Sequence, residues 1–387
     1  MKAFEHIVIH YDEIGLKAAN RGHFEKLLMT NIRAKLGDAV IAGRRESGQQ
    51  TITLAPDIDR DAVCTALSRI PGIAYFSPAW QEEHDLDAIR KTALALMQAQ
   101  SFKTFGVITK RRDKANDFRS AVINRDIGAA VLGMRPDAGV NLTAPDIWLK
   151  IEITHTHAYV SVERINGVGG LPTNARQKVV ALLSGGLDSP VAAYMMMKRG
   201  CEVIMTHYQN NLAMTDSVED KIQQLATQLS HFQPRTHLHI IPFGNIQNEI
   251  IKVVPAKQRM LFYRHVMLKM SARVASRNRA RMLVTGDSLS QVASQTYDNL
   301  AAIYHVAELP ILSPLIGLNK TEITAIARRI GTFDISSLPY DDCCSLFVPK
   351  HPELRLRLSA IRDAEAKMDL EPLMEAALEE TQPQRLD

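Results

Sequence analysis

Residues 179–200 read VVALLSGGLDSPVAAYMMMKRG. The run Val179 to Leu183 is wholly apolar, as a strand buried on both faces is. Ser184-Gly185-Gly186 breaks it, and Asp188-Ser189-Pro190 opens a second apolar stretch of helical length. The order predicts a strand, a tight turn and a helix. Glycines put no side chain in a ligand's way, and a helix N-terminus offers free N–H donors with partial positive charge. A phosphate is the natural guest for such a loop. The spacing fits neither G-x-x-x-x-G-K-[ST] nor G-x-G-x-x-G, so the anion is not held as a kinase or a dinucleotide enzyme holds it.

The same rhythm continues downstream. Near-continuous apolar runs recur at CEVIMTHY (201–208), LHIIPF (238–243) and RMLVTGD (281–287). Helix-length segments separate them at 190–199, 214–231 and 257–279. Strands of this kind joined by helical crossovers predict an α/β, doubly wound parallel sheet over residues 177–387. Sheets of this class bind ligands at the carboxyl ends of their strands, near the switch in strand order. SGGLDS falls at such an end, and so does TGDSLSQVASQT (285–296).

The front half alternates differently. HIVIH (6–10) and TITLA (51–55) read as short strands around the helical RGHFEKLLMTNIRAKL, which predicts a ferredoxin-like α+β domain over 1–60. A second α+β unit is expected over 61–165, with helical LDAIRKTALALMQAQ and FRSAVINRDIGAAVLG among strands at FGVITK, IWLKIEIT and HAYVSVERI. NGVGGLPTNAR (166–176) is rich in turn formers and reads as the linker between the two halves. Within the second unit, Lys110, Arg111, Arg112 and Lys114 put four cations around Asp113. They read either as a solvated turn or as an edge that contacts phosphates. His155 and His157, two apart, are expected on one face of a strand, and Cys64 as a buried thiol within a helix.

Composition bounds the rest. A chain of 387 residues exceeds one ordinary core, so two or three domains are expected. With 46% hydrophobic and 23% charged residues it is globular rather than disordered. No apolar run reaches membrane-spanning length, and the N-terminus carries no signal-peptide pattern, so no membrane partner is expected. Four cysteines do not make a disulfide framework at this length, which points to a reducing, cytoplasmic setting. The net charge of +4 permits nucleic-acid binding without requiring it.

SGGLDS resembles the PP-motif of the ATP pyrophosphatases, which split ATP into AMP and pyrophosphate. NRGHFEK (20–26), ERINGVGGLP (163–172), GLNKTEI (317–323), DDCCSLFVPKHP (341–352) and TGDSLSQVASQT extend that likeness in order along the chain. Together they resemble the tRNA 4-thiouridine synthetase family, ThiI. The resemblance implies an N-terminal ferredoxin-like domain and a THUMP domain that grip tRNA and present uridine 8 to the PP-loop domain. ATP is the implied cosubstrate. Its site would comprise Leu182, Leu183, Ser184, Gly185, Gly186 and Ser189 of the loop, His207 and Tyr208 at the next strand end, and Arg264, Gly286 and Gln295 beyond.

A carboxylate beside phosphates repels them, so Asp188 is expected to share Mg²⁺ with the pyrophosphate; helix capping is the alternative for the same residue. Lys320 is implied beside the reacting phosphate. The catalytic cysteine of the family aligns with Cys344, and Cys343 is the neighbouring candidate. A zinc or iron–sulfur site at these cysteines is the rival reading. Longer members continue into a rhodanese domain, whose cysteine this sequence does not contain, so a cysteine desulfurase or free sulfide is the expected sulfur donor. Transfer to a thiazole sulfur-carrier protein for thiamine synthesis, and a homodimer, stay open at this level. Two other functions compete, a PP-loop ligase or amidotransferase acting on a small molecule and a non-catalytic tRNA-binding protein.

Overall fold

The computed structural model describes residues 3–46, 48–111, 119–209, 216–339 and 352–386. It divides into two compact units, Met1–Pro172 and Thr173–Asp387. In the first, β1 (His6–His10), β2 (Val40–Glu46), β3 (Gln49–Leu54), β4 (Tyr75–Glu82), β5 (Thr104–Arg111), β6 (Gly139–Val140), β7 (Ile147–Ile153), β8 (Ala158–Ser161) and β9 (Ile165–Asn166) form one mixed sheet. Its order is β2-β3-β1-β4-β8-β7-β5-β6, with β9 also on β4. The helices of this unit are α1 (Arg21–Leu36), α2 (Arg60–Ser68), α3 (Leu86–Gln98) and α4 (Ser120–Met134).

The sheet carries two separate cores. Ile7, Ile9, Leu28, Ile32, Ile52, Leu67 and Phe76 close the first, and Ile89, Leu96, Phe105, Ile127, Leu149 and Val160 close the second. Because α2 packs its Val63, Cys64 and Leu67 into the first core, the expected boundary at 60/61 moves to the end of that core, past Phe76. β4 is central and joins the two halves. Its Pro78 is tolerated because the strand changes partner there. On the side away from β1 it pairs with β9 through residues 75–76 and with β8 through residues 80–82.

One further expectation needs correction. His155 and His157 do not share a strand face; they lie in the β7–β8 turn, which Thr154 closes by donating its N–H to the His157 carbonyl at 2.9 Å. The stretch 166–176 does hold the division between the two units, at 172/173, but its first part is hydrogen-bonded into the first unit. Gly167 N–H donates to Ala74 O at 2.9 Å and Gly169 N–H to Ile73 O at 2.8 Å. A Cβ on Gly167 would lie 2.2 Å from Ile73 O, so only glycine permits this approach.

The second unit holds a six-stranded sheet of β10 (Asn174–Leu182), β11 (Cys201–Gln209), β12 (Thr236–Pro242), β13 (Leu283–Val284), β14 (Ile311–Leu312) and β15 (Gln384–Leu386). The order is β14-β13-β10-β11-β12-β15, parallel throughout except for the antiparallel edge strand β15. The helices are α5 (Asp188–Lys198), α6 (Asp216–Ser230), α7 (Gly244–Val253), α8 (Arg259–Asn278), α9 (Tyr297–His305), α10 (Lys320–Ile330), α11 (Phe333–Ser337), α12 (Leu358–Glu365) and α13 (Glu371–Glu380). Val180 and Ala181 pair with Ile204 and Met205 of β11 on one side and with Leu283 and Val284 of β13 on the other. The order therefore switches at β10, and the ends of β10 and β13 open the crevice in which ligands of such sheets sit. The charged stretch 354–380, which reads as one helix, forms α12 and α13. The second starts afresh with Pro372 in its first turn, where the missing N–H costs nothing. Among the described residues no helix is long and apolar enough to cross a membrane.

Candidate functional site

The chain leaves β10 at Leu182 and enters α5 at Asp188. Two hydroxyls staple the turn between them. Ser184 N–H donates to Ser189 Oγ at 2.8 Å, and Ser189 Oγ donates back to Ser184 O at 3.2 Å. The glycines on this crevice differ in what demands them. A Cβ on Gly286, after β13, would meet Ser189 N at 2.8 Å and Asp188 C at 3.0 Å, so Gly286 is needed for that loop to reach the start of α5. A Cβ on Gly186 would meet only Ser184 Oγ, at 3.5 Å, and Gly186 does not have a positive φ. Among the described residues nothing requires glycine at position 186, and its exposed open side faces a cavity of about 480 Å³.

That cavity is lined by Leu182, Ser184, Gly186, Asp188 and Ser189 on one side and by Arg264, Gly286, Gln295 and the apolar Met260, Leu261 and Val292 on the other. Asp188 does not cap α5: Leu187 holds the cap position and no side chain bonds there. The carboxylate instead turns outward. Lys320 Nζ, from the first residue of α10, donates to Asp188 Oδ1 at 2.7 Å, and Gln291 Nε2 donates to Oδ2 at 2.9 Å. Two residues 132 positions apart thus bring opposite charges to the mouth of the glycine loop. Lys320 is 53% exposed and the pair is open to solvent, so it is a poor source of stability and is free to re-partner with an anion.

Arg264 on α8 lines the cavity, and its guanidinium is engaged by two other lining residues, Asp287 and Ser294. Its Nη2 donates to both oxygens of Asp287, at 2.6 and 2.7 Å, and Nη1 donates to Ser294 O at 2.9 Å. Tyr304 Oη donates to Asp287 at 2.7 Å and Gln295 Nε2 at 3.2 Å. Asp287 is 3% exposed. Burial pushes its carboxyl up, but the Arg264 guanidinium and the hydrogen bonds around it outweigh burial and hold it below the usual value. Burial beside that carboxylate pushes the Tyr304 phenol up to about 12. Sequence reasoning missed Asp287, although its position straight after a buried strand, in TGD, is the signal that would have raised it. In this structure Arg264 and Gln295 serve that buried charge.

The two residues at the end of β11 point away from the cavity. Tyr208 Oη donates to Met267 O at 2.8 Å, and its ring lies in the core. His207 is buried with Nδ1 3.0 Å from Leu183 O. A carbonyl only accepts, so Nδ1 carries the proton. Leu183 is itself buried beneath the loop. Leu183, His207 and Tyr208 do not line the cavity, and the Leu183 backbone is engaged within the sheet, its N–H with Thr206 O at 2.8 Å and its carbonyl with His207. Cys343 and Cys344 lie outside the described residues, as do Arg112 and Lys114.

Lys110 and Arg111 are not in a turn. They end β5, in register with Glu152 and Ile153 of β7. Lys110 lines a second cavity, of about 380 Å³ and within the first unit, together with Tyr75, Lys150, Glu152 and Arg164. Arg164 stacks 3.9 Å from the Tyr75 ring centre, and His10 lies against the same ring at 4.4 Å while its Nε2 is 2.8 Å from Glu152. Burial and the neighbouring Arg164 lower the affinity of Lys150 for its proton. Lys150 and Arg164 stand apart in the sequence and form no run, so they give no signal until the sheet brings them beside Lys110.

A parallel sheet with a glycine loop at its switch point, preceded in the chain by two α+β units that share one sheet, defines the class: a PP-loop domain with an α+β front end. The model for the ThiI ferredoxin-like domain matches residues 6–77, that for the THUMP domain residues 83–163, and that for thiamine biosynthesis protein (ThiI) residues 174–370. A probable tRNA sulfurtransferase of Thermoanaerobacter sp. (strain X514) is 38% identical over 374 residues, covering 97% of this chain and 98% of the relative. One from Thermus thermophilus is 38% identical over 370 residues, covering 96% and 91%. The crystal structure of a 4-thiouridine synthetase–RNA complex with bound ATP matches with a TM-score of 0.90 at 31% identity, over 99% of this chain and all of that one, 100%. The chain belongs to the ThiI family.

Proposed function

We propose that this protein is an ATP-dependent tRNA sulfurtransferase that converts uridine 8 to 4-thiouridine. The observation that carries the reading is the open side of Gly186. Among the described residues no atom requires glycine there, and the loop faces a cavity with Lys320 and Asp188 at its mouth. A triphosphate laid along the loop replaces Asp188 as the partner of Lys320, whose charge then stabilises the negative charge that builds on the phosphates. The apolar wall of Leu182, Met260, Leu261 and Val292 suits a base.

In the first half-reaction the uridine O4 bonds to the α-phosphorus of ATP and the bond to pyrophosphate breaks. In the second, the terminal sulfur of a persulfide on Cys344 bonds to C4 and AMP leaves with the oxygen. Cys343 then attacks Cys344, which releases the sulfur on the RNA and leaves a disulfide that an external thiol reduces. A desulfurase supplies the persulfide. Mg²⁺ fits Asp188, because this ion typically combines one or two carboxylates with substrate phosphates, and it would neutralise part of the pyrophosphate charge. Lys110, Lys150 and Arg164 supply cations for RNA phosphates. The description of the matching family as a thiamine biosynthesis protein supports a second acceptor, the thiazole sulfur-carrier protein.

The test is incubation with unmodified tRNA, ATP, Mg²⁺, cysteine and a desulfurase, followed by nucleoside analysis. Thiouridine at position 8 is expected. Cleavage of ATP that responds to a small metabolite and not to tRNA would favour a small-molecule ligase.

A further inference from the structure

In sequence, the cysteine pair is flanked by Leu338 on one side and Pro352 on the other; the structure ties the first flank to the glycine loop through Ser336 and places the second on the wall of the nucleotide cavity. On the outgoing side Lys221 of α6, only 3% exposed, donates from Nζ to the carbonyls of Ser336 at 2.9 Å and Leu338 at 2.7 Å. These carbonyls lie at the C-terminal end of α11, where free acceptors and partial negative charge favour a cation. Gln228, two turns along the same face of α6, donates to Ile330 O at 2.8 Å at the end of α10. One face of α6 therefore holds the ends of two successive helices. The first residue of α10 is Lys320, and Ser336 of α11 donates from Oγ to Gly186 O in the glycine loop at 3.3 Å. On the returning side Pro352 and Glu353 line the nucleotide cavity, and Asn299 Nδ2 donates to Glu353 O at 2.8 Å.

We propose that Lys221 and Ser336 are positioning residues for sulfur transfer. Lys221 anchors the end of α11 from which the cysteine segment departs, and Ser336 ties that anchor to the carbonyl of the glycine that meets the nucleotide. Among the described residues Gly186 N–H has one long bond, 3.4 Å to Ser184 Oγ, which an incoming phosphate oxygen displaces. Nucleotide held at Gly186 is thereby linked through the Gly186 carbonyl and Ser336 to α11, whose last residue, Ser337, stands six positions before Cys343 in the sequence. The proposal rests on the reading of Cys343 and Cys344 as the sulfur-handling residues.

The test compares Lys221→Met, Lys221→Arg and Ser336→Ala in the full chain, scoring the two half-reactions separately. Lys221→Met should keep pyrophosphate release near the wild-type rate while thiouridine formation falls about 10- to 100-fold, the loss that a displacement of about 1 Å produces. Lys221→Arg, which keeps the donors, should restore most of it. The second readout is the rate of iodoacetamide labelling of Cys343 and Cys344, mapped by peptide mass, with and without a non-hydrolysable ATP analogue. The analogue should change this rate in the wild type and leave it unchanged in Ser336→Ala, a variant that removes one hydroxyl and threatens no core. Equal losses in both half-reactions for Lys221→Met, or labelling in the wild type that ignores the analogue, would overturn the proposal. Full thiouridine formation by Cys344→Ala would instead sink the sulfur-carrier reading, and labelling of Cys343 would still report whether the anchor senses nucleotide.

Discussion

Replacing Arg264 by Met removes the guanidinium that donates to both oxygens of Asp287, whose own side chain is 4% exposed against 17% for Arg264. Removing one partner of a buried pair strands the other charge and costs about 3–5 kcal/mol. Tyr304 and Gln295 still donate to Asp287, so the lower end, about 3 kcal/mol, is expected. The pH dependence gives the sign. In the native protein burial is outweighed and the Asp287 carboxyl sits below its ordinary value of 3.8, so its stabilising effect is present above that pH and is lost as pH falls through the lower folded value. In the variant burial dominates, the folded value rises above the ordinary one, and the group destabilises at neutral pH. The deficit of the variant should therefore shrink as pH falls into the carboxylate range. The assay separates the two units. Trp80 and Trp148, the 2 tryptophans of the chain, both belong to the first unit, so their fluorescence follows that unit while far-UV circular dichroism follows both. In urea the fluorescence midpoint should stay in place and a circular dichroism transition should move to lower denaturant. If Arg264→Met unfolds as the wild type does at neutral pH while ATP affinity drops, the reasoning is refuted, and Arg264 serves the nucleotide rather than Asp287.

The two crevice glycines should part company. Gly286→Ala forces a Cβ to within 2.8 Å of Ser189 N and should cost about 1–3 kcal/mol in thermal or urea unfolding. Gly186→Ala, with 3.5 Å of room, should unfold normally and lose ATP in a calorimetric titration. Lys320→Met should slow pyrophosphate release about 10²- to 10³-fold. Because Lys320 is half-exposed in its pair with Asp188, the same change should alter stability by less than about 1 kcal/mol. Neutralising Lys110, Arg111, Arg112 and Lys114 should weaken tRNA binding, lower the salt slope by about 0.7–0.9 for each phosphate that is no longer neutralised, and leave ATP binding intact; an unchanged slope would return that run to a solvated edge.

The parallel sheet was legible from the apolar runs at 179–183, 201–208 and 238–243, although β10 opens with polar, exposed residues and β12 carries His237 and His239. β4 was not, since Pro78 reads as an edge or a break, and only the change of partner along the strand makes it acceptable in the middle of a sheet. β2 mixes glycine with arginines at a sheet edge, and β14 and β15 are too short for any periodicity to register. At the site, the motif supplied Asp188 and Lys320 singly, whereas their contact depends on α10 returning to the mouth of the loop. Tyr208 ends a strand of a doubly covered sheet, and its side chain belongs to the core rather than to the cavity. Asp287 and Lys221 were hidden for a common reason. A charged residue in a sequence reads as surface, and only the fold shows that each is buried against a specific partner.

The central claim is tested most directly by following one round of reaction on tRNA. Wild-type protein with ATP, Mg²⁺, cysteine and a desulfurase should release pyrophosphate and place sulfur at C4 of uridine 8. Cys344→Ala should release pyrophosphate at a near-normal rate and form no thiouridine. Thiouridine formed in full by a variant lacking both Cys343 and Cys344, at low free sulfide, would contradict the account and leave the protein as an adenylating enzyme that exposes the RNA to a partner's persulfide.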